Sequence, residues 1–314
     1  MTTALQQESD PAAYNPGPRP TFAPGPGAPL PGLHQALSTT GYALVWGRPV
    51  DWSPELPAVK GLLGREFTRY ERIGSPGHRH RFAASRMLLK HAAAAALGAE
   101  PEQLDLARRP GGRPYVRGCD QLEVSLSHTG QMLVVAVSRL GIVGVDVEAA
   151  DRTVLGSPVE RDICIARESE AIGRLPAERR NAALVRLWTL KEAYSKALGF
   201  GMRMSFSSFG FDPVGGEGPG RLLRADGVPV EQGQWWFQSH VLDGAYTASA
   251  AISRSGLGDI RDTQARTMLD GDLTATVLAA AAGRAGTDPS SSGTESGPGR
   301  QPWAPQAESL AGTP

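Results

Sequence analysis

The sequence predicts an α+β fold built from two similar halves, and three observations carry that expectation. The β-rich runs LEVSLSH and QMLVVAVS are separated by His128-Thr129-Gly130, so they read as a hairpin rather than as strands joined by a helical crossover. Long helical stretches lie before them and again after residue 151. Strands close the chain's folded part a second time, so the order helices-then-hairpin runs twice. A doubly wound parallel sheet would alternate strand and helix instead. No internal sequence repeat accompanies this order.

Taken in order, YALVWG (42–47) is a short apolar run of strand type. LPAVKGLLGREFTRYERI and HRHRFAASRMLLKHAAAAALG follow as helices, with Phe82, Met87, Leu89 and the alanines on an apolar side and Gly98 as C-cap. The hairpin comes next, then GIVGVDVE as a third strand. RESEAIGRL and ERRNAALVRLWTLKEAYSKALG return to helix, and FSSFGF, QWWFQSHVL and AYTASAAIS are three further strands. The halves are expected over 38–145 and 146–257. Residues 1–37 and 258–314 are rich in Pro, Gly, Ala and Ser, so both are expected to be mostly disordered tails; one weakly amphipathic helical patch lies in TMLDGDLTATVLAAAAGR.

Composition narrows the function classes. The 314 residues carry 32 basic and 32 acidic side chains, so no global field favours nucleic acid or an anionic membrane. Anion binding must come from a local cluster. Cys119 and Cys164 are too few for a disulfide framework or a structural zinc site. The first residues lack a basic start followed by an apolar run, and no stretch reaches the ~18 apolar residues of a membrane span. A cytoplasmic protein with no nucleic-acid or membrane partner is expected. Lysine occurs only at Lys60, Lys90, Lys191 and Lys196, which singles out the last two.

Four groups of residues suit chemistry. Asp146 and Glu148 lie two apart on a strand and share a face, with Val145 and Val147 turned to the core. They are either a solvated acidic strand end or a site for a hard cation, magnesium or manganese. Trp188, Glu192 and Lys196 recur every four residues beside the apolar stripe Leu187, Leu190, Tyr194, Ala197. An ordinary Glu–Lys surface pair and a functional face both fit that spacing. The turn Ser125-Leu126-Ser127-His128-Thr129-Gly130 either completes a hairpin or offers hydroxyl and N–H donors to a phosphate. Arg113 in a Gly/Pro loop and the run His78-Arg79-His80-Arg81 are solvated cations or anion contacts; the histidine spacing does not suit a helical zinc pair. No GxSxG elbow is present.

In order along the chain, GRPY, SLSHTG, GVDVE and LWTLKEAYSKALGFG resemble the 4′-phosphopantetheinyl transferases. The resemblance is to the larger, monomeric, surfactin-synthetase-activating type that serves polyketide and non-ribosomal peptide synthetases. That family pairs a Gly-apolar-Asp-apolar-Glu strand with W-S/T-x-K-E-x-x-x-K some 40 residues later. The pattern is met at Gly144, Asp146, Glu148, Trp188, Thr189, Lys191, Glu192 and Lys196, and the resemblance covers roughly residues 60 to 210.

The resemblance implies a pseudo-dimer of two α+β halves with coenzyme A in the cleft between them. It implies transfer of the phosphopantetheine arm of coenzyme A to a serine of an acyl or peptidyl carrier protein, with release of adenosine 3′,5′-bisphosphate. Asp146, Glu148 and Glu192 would hold magnesium (or manganese), and Lys196 would contact the pyrophosphate. Ser127 and His128 would bind coenzyme A phosphates, and Arg113, Arg81 and Arg69 would lie on the nucleotide. Glu192, Lys196 and Asp146 are the expected catalytic residues, with Glu192 ahead of Glu148 as the base. The alternative is a non-catalytic coenzyme A or nucleotide-binding protein of the same fold. A phosphotransferase using ATP is disfavoured, because neither GxxxxGK(S/T) nor GxGxxG is found.

Overall fold

The computed structural model describes residues 17–254, apart from 55, 110, 213–216 and 231–233. The expected tail beyond 258, with its helical patch, lies outside these residues, as do residues 1–16. The chain opens with β1 (Thr21–Phe22), α1 (Pro31–Thr40), β2 (Tyr42–Gly47), α2 (Leu56–Leu63), α3 (Phe67–Glu71) and α4 (Pro76–Leu97). It continues through β3 (Leu106–Arg108), β4 (Pro114–Val116), β5 (Glu123–Thr129), β6 (Met132–Ser138) and β7 (Val143–Ala149). Then follow α5 (Pro158–Ile163), α6 (Ala166–Gly173), α7 (Ala177–Leu198), β8 (Phe209–Asp212), β9 (Gly218–Arg224), β10 (Trp235–Leu242) and β11 (Tyr246–Ser253).

The strands form two sheets, so the α+β class holds. One runs β1-β2-β6-β5-β4-β3 and the other β7-β11-β10-β9-β8. All pairings are antiparallel except β1 with β2. Strand β6 shows how they stack. Its alternate residues Leu133, Val135 and Val137 join the core under α1 and α4. Met132, Val134 and Ala136 join a second core with Val143, Val145 and Val147 of β7 and Ala248, Ala250 and Ile252 of β11. An uninterrupted apolar strand is the signature of burial on both faces, and here it separates helix from sheet.

The expectation of an unfolded tail to residue 37 is corrected from residue 17 onward. Leu30, Leu33, Ala36 and Leu37 recur at helical spacing and are all buried, and β1 pairs with β2. Four anchors suffice to dock a segment whose Pro and Gly content otherwise reads as linker. Strands β3, β4 and β9 and helix α5 are further additions to the predicted elements; each is short or Gly/Pro-rich, so periodicity gives them little signal. The Gly-rich stretch beginning at 215 enters β9 at Gly218.

Helix α7 positions the site. It packs on β7 and β11, and the contact is closest at Gly144, where a Cβ would stand 1.9 Å from the Ala193 carbonyl oxygen. The predicted stripe Leu187, Leu190, Tyr194 and Ala197 is fully buried, but so are Arg186, Thr189, Lys191 and Ser195. The ring of Tyr194 sits edge-on among Phe209, Phe211, Trp235 and Phe237, with centroids 5.0–6.5 Å away. Helix ends are conventional: Ser75 caps α4 through its side chain, and Gly98 and Gly199 close α4 and α7 in the left-handed region.

Candidate active site

Strand β7 is an edge of its sheet and lies beside β5 of the other. The Val145 N–H donates to Ser125 Oγ at 3.1 Å, so a side chain satisfies what a ladder partner otherwise would. With Val145 and Val147 in the core, Asp146 turns toward α7. There Lys196 Nζ donates to Asp146 Oδ1 (2.6 Å), Ser127 Oγ (2.9 Å) and the Val145 carbonyl (3.2 Å). Ser127 Oγ also donates to Asp146 Oδ1 at 2.8 Å. One strand from each sheet and one helix thus meet in a single polar knot, and the knot faces a cleft of about 450 Å³.

Charge in this knot is unevenly offset. Asp146 is 6 % exposed, and its second oxygen, Oδ2, is buried with no hydrogen-bond partner. Glu148 is half-buried, and Arg152 Nη1 reaches its Oε1 at 2.8 Å. Burial, then the neighbouring Asp146 charge, pushes Glu192 up to about 7, with Glu148 adding to the rise and Lys196 and Arg152 opposing it. Glu148 is also raised, by burial and by Asp146, against the pull of Arg152. Three carboxylates stand against two cations.

The sequence-predicted residues fall into distinct places. Asp146, Glu148, Ser127, His128, Arg69, Arg113 and Lys196 line the cleft. Glu192 stands beside Asp146 and Glu148 on α7. Arg81 is half-buried on α4 and set back from the cleft lining, though its charge reaches His128. Arg113 is already committed: Nη1 donates to the Ala197 carbonyl (2.8 Å) and Nη2 to Glu123 (2.5 Å), which ties the loop before β4 to the end of α7. Lys191, the other singled-out lysine, is wholly buried. It pairs with Glu168 at 2.7 Å and donates to the carbonyls of Ile163, Phe206 and Phe209, holding α5, α6 and β8 against α7.

His128 sits at the exposed end of β5 and is pushed down to about 4, by loss of surrounding water and then by Arg86, Lys196 and Arg81. Since the residue reaches solvent, the three cations are the firmer cause, and an anion in the cleft would reverse their effect.

Two cleft residues escaped the sequence reading. Arg86 and Arg108 hold the two oxygens of Glu66 at 2.8 and 3.0 Å, with Arg69 beside them. Arg86 is 6 % exposed. Its signal was there: an arginine within the apolar run FAASRMLL needs a buried partner. Together these arginines, offset in part by Glu66, add positive charge to the same cleft that Asp146 and Glu148 line.

A divalent cation fits the acidic wall. The unpartnered Asp146 Oδ2 and the mutual repulsion that raises Glu148 and Glu192 are what a hard cation relieves. Among the described residues no three carboxylate, imidazole or thiolate groups already stand together as a metal cage. The three acidic residues are neighbours rather than a formed cage.

Comparison with known proteins bears on the same strand and helix. The family model of the 4′-phosphopantetheinyl transferase superfamily matches residues 142–251, from β7 to β11. The chain is 33% identical over 164 residues to the 4′-phosphopantetheinyl transferase HetI of Nostoc sp., covering 50% of this chain and 69% of that relative. The chain belongs to the 4′-phosphopantetheinyl transferase superfamily. It is also 28% identical over 207 residues to a phosphopantetheinyl transferase of Thraustochytrium sp. (61% of this chain, 70% of the relative). With the 4′-phosphopantetheinyl transferase of Bacillus subtilis it shares 24% over 168 residues (54% and 74%). The superfamily match thus spans β7 and α7, which carry Asp146 and Lys196 of this transferase's polar knot, while Ser127 on β5 lies outside it. Among its described residues no helix is long and apolar enough to cross a membrane.

Proposed function

We propose that the enzyme transfers the 4′-phosphopantetheine arm of coenzyme A to a serine of an acyl or peptidyl carrier protein, with magnesium. The observation that carries the reading is the knot of Lys196, Ser127 and Asp146, which lines the same cleft as Arg69, Arg86 and Arg108. A cofactor with a pyrophosphate and a separate 3′-phosphate needs two cationic patches. Lys196 supplies one, and Arg69, Arg86 and Arg108 supply the other, with His128 and Arg81 beside it.

Asp146, Glu148 and Glu192 would hold the magnesium ion, which when bound neutralises charge on the pyrophosphate. The chain's own groups do the rest. Lys196 donates to the pyrophosphate as negative charge develops on the leaving group. The partner's serine hydroxyl attacks phosphorus; a new O–P bond forms and the pyrophosphate P–O bond breaks, its electron pair leaving with adenosine 3′,5′-bisphosphate. The hydroxyl proton needs an acceptor beside the knot, and Glu192 is the first choice with Glu148 the second. No nucleophile is required of this chain, and the Ser127 hydroxyl in the knot is engaged with Asp146 and Lys196.

The test is intact mass spectrometry of apo carrier proteins incubated with the enzyme, coenzyme A and magnesium. One addition of ~340 Da, the mass of the transferred arm, is expected on at least one carrier. Coenzyme A binding without any addition across acyl and peptidyl carriers would favour the non-catalytic alternative.

A further inference from the structure

The turn that follows β7 is built around one side chain, Arg152. Its backbone N–H donates to the Ala149 carbonyl at 3.1 Å, folding the chain back over the strand end. Asn181 of α7 fixes the turn: its Nδ2 donates to the Arg152 carbonyl at 2.9 Å, and its Oδ1 accepts from the N–H groups of Val154 and Leu155. Two helical turns further along α7, the ring of Trp188 lies 4.7 Å from the Arg152 guanidinium. Trp188 is itself held edge-on by Phe206 at 5.7 Å. Arg152 is thus anchored by its backbone, by an aromatic platform, and by its ion pair with Glu148 Oε1.

Resting on the cation site of the preceding section, we propose that Arg152 is a positioning residue that presents Glu148 to a divalent cation. Three features support this. Arg152 is absent from the cleft lining, whereas Glu148 and Asp146 belong to it, so the guanidinium grips the carboxylate from outside. The ion pair joins Arg152 Nη1 to Glu148 Oε1, so a cation would be met by the second carboxylate oxygen. The threefold anchoring makes the pair a fixed support rather than a counter-ion waiting to leave. Outer supports of this kind typically change metal affinity by about 10–100-fold. Trp188 acts one step further out, by holding the guanidinium plane.

The experiment measures manganese binding to the full chain by electron paramagnetic resonance, without coenzyme A, for wild type, D146N, R152A, R152K and W188L. Thermal melts of each variant check folding. The expected result is wild-type binding that D146N abolishes, an approximately tenfold loss in R152A, and a smaller loss in W188L. R152K should restore only part of the loss, since an ammonium cannot both stack flat and keep the same hydrogen bond. In transfer assays R152A should raise the magnesium concentration for half-maximal rate while leaving the rate at saturating magnesium largely intact. Should R152A fail to fold, W188L carries the test alone. Unchanged or tighter manganese binding in folded R152A or W188L overturns the inference and leaves the proposed function standing. Wild-type binding that does not depend on Asp146 overturns the cation site and this inference together.

Discussion

Glu192 is buried beside two other carboxylates across the junction of β7 and α7, and its raised proton affinity reflects that burial first and the Asp146 charge second. Its folded-state pKa of about 7 lies above the ordinary value of 4.5. Its contribution to stability is therefore full below about pH 4.5 and is lost as the pH rises through 7. At pH 8 the metal-free fold carries a penalty on the order of 3 kcal/mol from this residue. Glu192→Gln should therefore stabilise the metal-free protein at pH 8 and leave it nearly unchanged at pH 5, in urea titrations run with a chelator. A stability difference that does not vary with pH would show that neither burial nor the neighbouring carboxylates raise the proton affinity of Glu192. Magnesium should reverse the sign in wild type by relieving the repulsion, and should do little for the Gln variant.

The same residues mark how far the sequence could be read. The two-residue spacing of Asp146 and Glu148 placed them on one face of a strand. The four-residue spacing of Glu192 and Lys196 placed them on one side of a helix. Both spacings are local, and local periodicity survives folding. That Lys196 reaches back to Asp146 and Ser127 was not legible, because contacts 50 and 69 residues apart depend on how the sheets stack. Arg86, Arg108 and Arg152 were missed for the same reason, since each finds its role through a partner on another element or beyond a turn. Arg113 was expected on the nucleotide; it lines the cleft, and its two terminal nitrogens donate to the Ala197 carbonyl and to Glu123, a tie that sequence spacing did not show.

At the scale of elements, the register of β7 against α7 decides whether the site exists. Gly144 lets the strand backbone approach the helix backbone, and no side chain fits there: a Cβ would lie 1.9 Å from the Ala193 oxygen and 2.6 Å from the Ala197 nitrogen. Both obstacles are backbone, so neither can rotate aside. Gly144→Ala should destabilise the protein by about 1–3 kcal/mol or more. It should also reduce transfer beyond what the lost stability explains, because Asp146 moves with the strand while Glu192 and Lys196 stay with the helix. Thermal melts paired with transfer rates on the folded variant check this. Normal activity in a folded Gly144→Ala protein would mean that the strand–helix spacing is not what sets the site. The buried Lys191–Glu168 pair works on the other side of α7. Four acceptors surround one ammonium there, the Glu168 carboxylate and the backbone carbonyls of Ile163, Phe206 and Phe209. Its neighbour in sequence, Glu192, is thereby set at a fixed rotation of the helix.

For the whole molecule, the strand order was partly legible and the stacking was not. Helices followed by hairpins gave the α+β class, and the unbroken apolar run of β6 is explained by two cores, one on each face. The N-terminal segment was misread because Pro and Gly content outweighed four apolar anchors that only find their groove once α4 and β2 are in place. The result is one cleft lined by Asp146, Glu148 and Lys196 together with Arg69, Arg86 and Arg108. That lining suits a ligand that carries more than one phosphate, and Asp146 is proposed to act there on transfer. The most direct measurement is a single-turnover time course, by intact mass, of apo carrier protein with coenzyme A and magnesium, run side by side with wild type and Asp146→Asn. Asparagine keeps the size of the side chain and a hydrogen-bond acceptor for Lys196, so the fold should persist. Wild type should add one ~340 Da arm, and Asp146→Asn should be slower by about 1,000-fold, the scale expected when a group stabilising developing charge is lost. A folded Asp146→Asn protein that transfers at a near wild-type rate would contradict the account.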